Sequence, residues 1–129
     1  MSTDQEIEKE IQAKGKTALR ITPEIVETEI ASEHYFTAAD GVMGAAEKGP
    51  NHLVINPLPL MLLTFCILVL RNGFTVTGES ACASPENFDA EIGRKIARQN
   101  AVAKIWPLLG YELRTFLVER NRQKGAGSE

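Results

Sequence analysis

The sequence predicts an α+β fold: a short N-terminal helix, a β-hairpin, and a long kinked C-terminal helix packed on the sheet. Two observations carry this prediction. An apolar run over residues 60–70 leads, after one arginine, into Asn72-Gly73, a pair typical of tight hairpin turns. Farther along, apolar residues recur at helical spacing over residues 88–117, interrupted by Pro107.

The chain of 129 residues is long enough for one domain with a single hydrophobic core. Residues 1–20 are polar and charged, so we expect a flexible tail with at most a frayed helix. Residues 123–129 are expected to form a second flexible tail. The predicted domain therefore spans residues 21–122.

The first helix is predicted to start at Thr22-Pro23-Glu24, where a capping residue precedes a proline and an acid. We expect this helix to cover residues 23–33 and to bury Val26 and Ile30. The small residues that follow predict a second short helix over residues 37–46 and then a loop.

The hairpin is predicted to pair residues 61–71 with residues 74–83 around a two-residue type I′ turn, with Arg71 opposite Phe74. This register decides which side chains share a face of the sheet. One face carries Leu63, Phe65, Ile67 and Val69 with Phe74, Val76, Gly78 and Ser80, and the other carries Thr64, Cys66, Leu68 and Leu70 with Thr75, Thr77, Glu79 and Ala81.

The first strand of this hairpin is apolar on both faces, so both faces have to be covered. One helix layer covers one of them, and an isolated hairpin is only marginally stable. We therefore expect a homo-oligomer, a dimer or higher, in which a second subunit covers the other face.

The predicted hairpin register points Cys66 and Cys82 to opposite faces, which excludes a disulfide between them.

The C-terminal helix is predicted to start at Ser84-Pro85-Glu86 and to bury Phe88, Ile92 and Ile96, which follow at four-residue steps. Pro107 cannot donate a hydrogen bond to residue 103, so the helix should kink or break there.

Three further residues are expected to mark close packing around this helix. Trp106 is predicted to anchor the core at the kink, with its indole N–H donated to a carbonyl that the proline leaves free. Gly78 and Gly93 are predicted to mark close approaches between strand and helix backbones rather than a phosphate loop.

The formal net charge of −3 hides a gradient along the chain. Residues 1–50 carry ten acidic and five basic side chains, whereas residues 86–129 carry six acidic and eight basic ones. The overall acidity argues against nucleic-acid binding over the whole surface and leaves the C-terminal helix as the basic element. The longest apolar run is too short to cross a bilayer as a helix, so we expect a cytoplasmic protein.

Catalytic and cofactor motifs are not recognisable in the sequence. The stretch Gly78-Glu79-Ser80-Ala81-Cys82 has a cysteine where a nucleophile elbow requires its second glycine, and it is predicted to lie within a strand. His34 and His52 lie in no motif that would orient a catalytic base. The two cysteines lack metal-ligand spacing, so we expect no metal. Since catalytic and cofactor-binding motifs are also missing, we expect no enzyme and no cofactor.

Four residues are candidate contacts for a ligand or partner: Glu79, Ser80, Arg94 and Arg98. The two arginines lie one helical turn apart, and guanidinium groups bind phosphate well. A solvated helix face with internal ion pairs is the ordinary alternative. Glu79 is either a buried or interfacial acid or an edge-strand charge that discourages strand addition.

The last two thirds of the chain resemble a known family. The matching motifs are Asn72-Gly73-Phe74, Gly78-Glu79-Ser80-Ala81, Asn87-Phe88-Asp89, Glu91-Ile92-Gly93, Asn100-Ala101, Trp106 and Gly110-Tyr111. They resemble the small tailed-phage and prophage proteins typified by the forty-ninth gene product of coliphage N-four and the sixty-sixth of Shigella phage Sf-six. The resemblance implies a phage or prophage origin and a bacterial cytoplasm, and it supplies no catalytic residues.

We therefore expect a non-enzymatic phage accessory protein that binds a host protein or a small anionic, nucleotide-like signalling molecule. The missing catalytic motifs and the pair formed by Arg94 and Arg98 motivate this expectation. The alternative is a nucleic-acid-binding phage protein that uses its basic C-terminal helix.

Overall fold

A computed structural model describes residues 3–48 and 57–127. The chain divides into two compact units: residues 30–104 form one, which we call the sheet unit, and the residues before and after them form the other, the helical unit. The elements are α1 (Asp4–Ala13), α2 (Pro23–Thr28), β1 (Ile30–Thr37), α3 (Ala38–Lys48), α4 (Leu58–Met61), β2 (Leu63–Leu70), β3 (Thr75–Ala81), α5 (Ala90–Ala103) and α6 (Ile105–Gly127).

The sheet unit contains a three-stranded antiparallel sheet in the order β1-β2-β3. The predicted α+β class is confirmed, and the predicted hairpin is the β2-β3 pair. Strand β1 was not expected. It lies on the other side of β2, which makes β2 the central strand and leaves β1 and β3 as the two edges of the described sheet.

The predicted helix over residues 23–33 is wrong in its second half, because α2 ends at Thr28 and β1 begins at Ile30. Ile30 follows Val26 by four residues, a spacing that imitates one face of a helix. The aromatic and β-branched residues after it favour extended chain, and they gain cross-strand partners in β2. Phe36 pairs with Phe65, and their rings stack with centroids 5.5 Å apart.

The turn of the hairpin has three residues, 71–73, rather than two. A type I′ turn requires a positive φ at both of its central residues. Among the described residues only Gly15 and Gly73 have a positive φ, and the value at Gly73 is 89°. Gly73 N–H donates to Leu70 O at 2.9 Å, and Asn72 Oδ1 accepts from Phe74 N–H at 2.9 Å. The asparagine therefore stabilises the turn with its side chain, and the glycine supplies the left-handed backbone.

This longer turn shifts the register by one residue from the prediction. Phe65 pairs with Glu79, and Cys66 pairs with Gly78. The predicted face partners are therefore exchanged: Glu79 shares a face with Phe65, and Gly78 shares a face with Cys66. Both cysteines are free, as expected, but the predicted reason is wrong. Cys82 lies beyond the end of β3, roughly 13 Å along the strand from the partner of Cys66.

Helix α5 packs on β2 and β3 through small residues. Gly93, Ala97 and Ala101 are its buried residues, at i, i+4 and i+8. The expectation that Ile92 and Ile96 face the sheet is wrong, because they are 55% and 43% exposed. A small-residue face lets the helix backbone come close to the sheet, where a face of isoleucines would hold it away.

The predicted close approach of strand and helix backbones is confirmed at Gly78, whereas Gly93 approaches a strand side chain, that of Thr64. A Cβ atom added at Gly78 would overlap Ala97 O and Ala101 N and would lie 2.9 Å from Ala101 Cα. A Cβ atom at Gly93 would lie 3.1 Å from Thr64 Oγ1. Strand and helix backbones thus meet at Gly78 with no room for a side chain.

Helix α5 does not start at the predicted cap. Residues Pro85–Asn87 form a short 3-10 turn, and the Ser84 side chain donates to Glu86 Oε2 at 2.7 Å instead of capping a helix. Asp89 is the N-cap, with Oδ1 accepting from Ile92 N–H at 3.1 Å. The break predicted near Pro107 is present, because the helix is interrupted at Lys104. Pro107 therefore falls in the first turn of α6. Backbone N–H groups there have no partner within the helix, so the missing N–H of the proline costs no helical hydrogen bond.

Helix α3 confirms the short helix predicted over residues 37–46. Thr37 and Asp40 cap its start reciprocally: Thr37 N–H donates to Asp40 Oδ2 at 3.0 Å, and Asp40 N–H donates to Thr37 Oγ1 at 3.2 Å. The loop predicted after this helix includes residues 49–56, which lie outside the described residues, as does His52.

The helical unit consists of α1, α2 and α6. Thr3 caps α1 with a reciprocal pair of hydrogen bonds to Glu6. The Trp106 indole N–H donates to Asp4 Oδ2 at 3.1 Å, not to a carbonyl freed by Pro107 as expected. The neighbouring Ile105, with no exposed surface, is the buried anchor at this point of the chain.

Helix α1 is held by this indole at Asp4 and, one turn further on, by Arg20, whose Nη2 donates to Glu8 Oε2 at 2.7 Å. The hydrogen bonds from Arg20 lower the pKa of the Glu8 carboxyl below its usual value. A cavity of about 240 Å³ lies against α1, lined by the apolar side chains of Ile7, Ile11, Ile21, Pro23 and Trp106.

Candidate functional site

The four predicted contact residues do not form one cluster. Glu79 and Ser80 are neighbours on β3, so their side chains point to opposite faces of the sheet. Glu79 is exposed and Ser80 is half-buried. The arginines Arg94 and Arg98 lie on α5. The side chains of Glu79 and Ser80 are therefore on opposite faces of the sheet, whereas Arg94 and Arg98, four residues apart, lie on one face of α5.

Glu79 lies on β3, an edge strand of the described sheet, as the interpretation of Glu79 as an edge-strand charge requires. Its backbone carbonyl accepts a hydrogen bond from the Asn100 side-chain amide of α5 at 2.8 Å. The carboxylate is exposed on the strand, where a charge discourages a further strand from adding to the edge. These contacts favour the edge-strand interpretation over a buried acid.

Arg98 joins α5 to β1 through Glu33. Its Nε donates to Glu33 Oε2 at 3.0 Å, and the Tyr35 hydroxyl donates to Glu33 Oε1 at 3.1 Å. Burial and this carboxylate raise the pKa of Tyr35 to about 12, and burial raises the pKa of the Cys66 thiol, which lies opposite Tyr35 in the sheet. The guanidinium of Arg98 is therefore already matched by a carboxylate, and its first role is to tie the helix to the sheet.

Arg94 lines a small cavity of about 160 Å³ at the start of α5. No ion pair to Arg94 is formed within residues 3–48 and 57–127. Thr64, also in the lining, is only 4% exposed, and its hydroxyl has no hydrogen-bond partner in the described part of the chain. The remaining lining is mixed, with an acid at Asp40 and aromatic walls at Tyr35, Phe36 and Phe88.

This cavity is too small for a whole nucleotide, because drug-sized ligands occupy pockets of roughly 300 Å³ or more. It has room for one compact polar group beside the Arg94 guanidinium. The negative charge of Asp40 lowers the attraction of this cavity for an anion. One oxygen of that carboxylate already accepts a hydrogen bond from Thr37 N–H.

A second candidate site, which was not among the sequence predictions, lies in the helical unit. It is a groove of about 530 Å³ along α6, which we call the α6 groove. Three of its side chains are large, apolar and solvent-exposed: Leu19 (55%), Ile25 (41%) and Phe116 (54%). The other apolar walls are Ile21, Leu109 and Leu113, and the charged residues in the lining are Glu29 and Glu112.

The sequence did contain a signal for this groove. Leu109, Glu112, Leu113 and Phe116 follow each other at i, i+3, i+4 and i+7, which places them on one face of α6. Such a face is usually buried in the core, so the pattern alone does not distinguish a packed face from an open one.

Ser32 and His34 make the contact that most resembles a nucleophile and a base. The Ser32 hydroxyl lies 3.0 Å from His34 Nε2 on β1. A catalytic pair also needs a group that orients the histidine. Among the described residues no such hydrogen bond to the other ring nitrogen of His34 is formed, and the histidine is exposed.

Residues 3–48 and 57–127 contain no cluster of three or more His, Cys, Asp or Glu side chains that could hold a metal ion. In the same ranges, none of the helices combines the length and the apolar composition needed to span a membrane.

The chain matches a family model described as the phage protein (N4 Gp49/phage Sf6 gene 66) family, over residues 21–117. This match covers most of the chain and confirms the resemblance drawn from the sequence motifs. No curated protein matches the chain, and no solved structure does.

Proposed function

Because the chain belongs to the phage protein family of N4 Gp49 and phage Sf6 gene 66, we propose that it is a non-enzymatic phage accessory protein that binds a host protein in the bacterial cytoplasm. The α6 groove is the observation that carries this proposal. It presents apolar side chains from two segments of the chain to solvent, and its apolar surface is larger than that of the cavity at Arg94.

Exposed apolar surface of this kind supports a binding role. Single exposed apolar residues are ordinary on protein surfaces, whereas a contiguous set around a groove is typical of interaction sites. Phe116 is the aromatic residue in the groove, and aromatic side chains often supply a large share of binding energy. The guanidinium of Arg120 lies over its ring, 5.8 Å from the centre, within the range of a cation–π contact.

Replacing Phe116 by serine should abolish capture of the host protein from a bacterial lysate, because the groove loses its aromatic anchor. The measurement is affinity capture on immobilised protein, with retained proteins identified by mass spectrometry. Phe74→Ser is the matched control, because Phe74 is 57% exposed, close to the 54% of Phe116, but lies in the sheet unit. A host protein retained equally by both variants, or none retained by the unchanged protein, would contradict the proposal.

A small anionic, nucleotide-like signalling molecule is the second candidate ligand. Arg94 and the Thr64 hydroxyl support it, because both line one cavity and neither has an ion-pair or hydrogen-bond partner within residues 3–48 and 57–127. The volume of about 160 Å³ limits the inserted part to one compact group such as a phosphoryl, with the rest of the molecule outside.

A thermal-shift panel of nucleotides and cyclic dinucleotides tests this second candidate. A bound nucleotide should raise the Tm by about 3 °C or more at concentrations far above its Kd. The shift should disappear in Arg94→Ala and persist in Lys95→Ala, because Lys95 is paired with Glu91 at 3.3 Å on the exposed side of α5. Absence of a shift with every compound, or an equal shift in Arg94→Ala, would count against this ligand.

The nucleic-acid alternative gains little from the charges of the C-terminal helices. Lys95 is paired with Glu91, and Arg122 with Glu119 at 2.9 Å, so these cations are partly neutralised.

Homo-oligomerisation stays a prediction, and it bears on the occupant of the α6 groove.

A further inference from the structure

We infer that the α6 groove receives a cationic amphipathic helix of the host protein. This inference rests on the proposed function and adds the chemistry of the partner. The charges of the groove carry it. Glu29 and Glu112 are the charged side chains of the lining, and both are acids.

Neither carboxylate is neutralised by the described part of the chain. Glu29 and Glu112 form no ion pair within residues 3–48 and 57–127. The Arg120 guanidinium lies over the ring of Phe116, 5.8 Å from its centre, and is not part of the groove lining. An apolar floor bordered by two carboxylates that the described residues do not pair favours a partner that brings apolar side chains together with Lys or Arg.

The shape of the groove favours a helix over an extended strand. The four α6 residues of its wall, from Leu109 to Phe116, lie along eight residues of helix, whose seven rises cover about 10 Å. A partner helix with anchors at i, i+3 or i+4, and i+7 covers the same length, and it places its polar face toward the rim. The described walls come from helix and loop side chains rather than from a free strand edge, so main-chain pairing is not offered there.

Fluorescence anisotropy with two synthetic helical peptides tests the inference. Both peptides carry the same leucine face, and their polar faces carry lysine in one peptide and glutamate in the other. The lysine peptide should bind at least about tenfold more tightly than the glutamate peptide. Phe116→Ser should remove its binding, and Glu112→Gln should weaken it about threefold, as expected for one exposed ion pair.

Glu119→Gln is the matched control, because it changes the net charge of the protein by the same amount on the same helix. Glu119 pairs with Arg122 and is not part of the groove lining. Its affinity for the lysine peptide should stay unchanged. Equal weakening by Glu119→Gln and Glu112→Gln would mean attraction by overall charge and would overturn the inference, as would equal binding of both peptides or no binding of either.

Light scattering tests the other possible occupant of the groove, a second copy of this chain. A dimer that Phe116→Ser dissociates would mean that the groove is filled by self-association, which overturns the inference. The proposed function fails separately: capture of a host protein that depends on Phe116 would stand even if both peptides bound equally.

Discussion

Replacing Gly78 by alanine is expected to lower the free energy of unfolding by about 3 kcal/mol or more. The new Cβ atom would overlap backbone atoms of Ala97 and Ala101. Backbone atoms of a helix cannot turn aside as the end of a flexible side chain can, so α5 would have to move away from β3. The same movement would loosen the buried contacts of Ala97 and Ala101 with the sheet.

Urea denaturation followed by circular dichroism measures this loss. Gly44→Ala is the control, because Gly44 lies in α3 of the same unit with no neighbouring atom within 4 Å of the added Cβ. That substitution should be neutral or stabilising by up to about 1 kcal/mol, since alanine favours helix more than glycine does. Equal stability of Gly78→Ala and the unchanged protein would show that α5 does not pack on β3 at this distance.

Leu68→Ala is expected to destabilise the protein by about 3 kcal/mol, within the range measured for buried leucines. Leu68 lies on the central strand with no exposed surface, and it is among the largest fully buried side chains of the described residues. Truncation removes apolar contacts and leaves a cavity that the surrounding strands and α5 fill only in part. A loss of this size is a large share of the 5–15 kcal/mol that usually separates folded from unfolded protein.

Ile92→Ala is the comparison for Leu68→Ala, and it also tests which face of α5 meets the sheet. Ile92 is 55% exposed, so its truncation should cost less than about 1 kcal/mol. The helix orientation predicted from the sequence would instead make this isoleucine a core residue, with a cost of 2 kcal/mol or more, roughly. Equal losses for the two variants in urea denaturation would support that other orientation.

The hairpin was predictable because its signal is local. An apolar run followed by Asn72-Gly73 requires a reversal of the chain whatever the rest of the molecule does. The register was not predictable, since a two-residue and a three-residue turn share the same Asn-Gly pair and differ in the φ of Asn72. A shift of one residue then exchanged every face partner of β3.

The face of α5 was missed for a related reason. Pattern reading assigns large apolar residues to the core, so Ile92 and Ile96 were placed against the sheet. The sheet offers Gly78 at the point of contact, and a glycine there selects small residues on the helix. That preference depends on which strand residue meets which helix residue, and this is known only once both elements are in place.

The candidate site divides in the same way. Sequence spacing aligned Arg94 with Arg98, but the partner of Arg98 is Glu33, sixty-five positions earlier in the chain on a strand that was not expected. Glu79 and Ser80 are adjacent on β3 and face opposite sides of the sheet, as the predicted hairpin already required. The α6 groove depends on whether a helix face is covered, which periodicity does not reveal.

Trp106 gives the molecule a built-in optical reporter. It is the only tryptophan in the sequence, its indole N–H is bonded to Asp4 of α1, and its ring borders the cavity beside that helix. All intrinsic indole emission therefore comes from one position next to α1. Any event that lifts this helix, such as loss of the Asp4 contact, would expose more of the half-buried ring to water and move the emission toward longer wavelengths, without any label being attached.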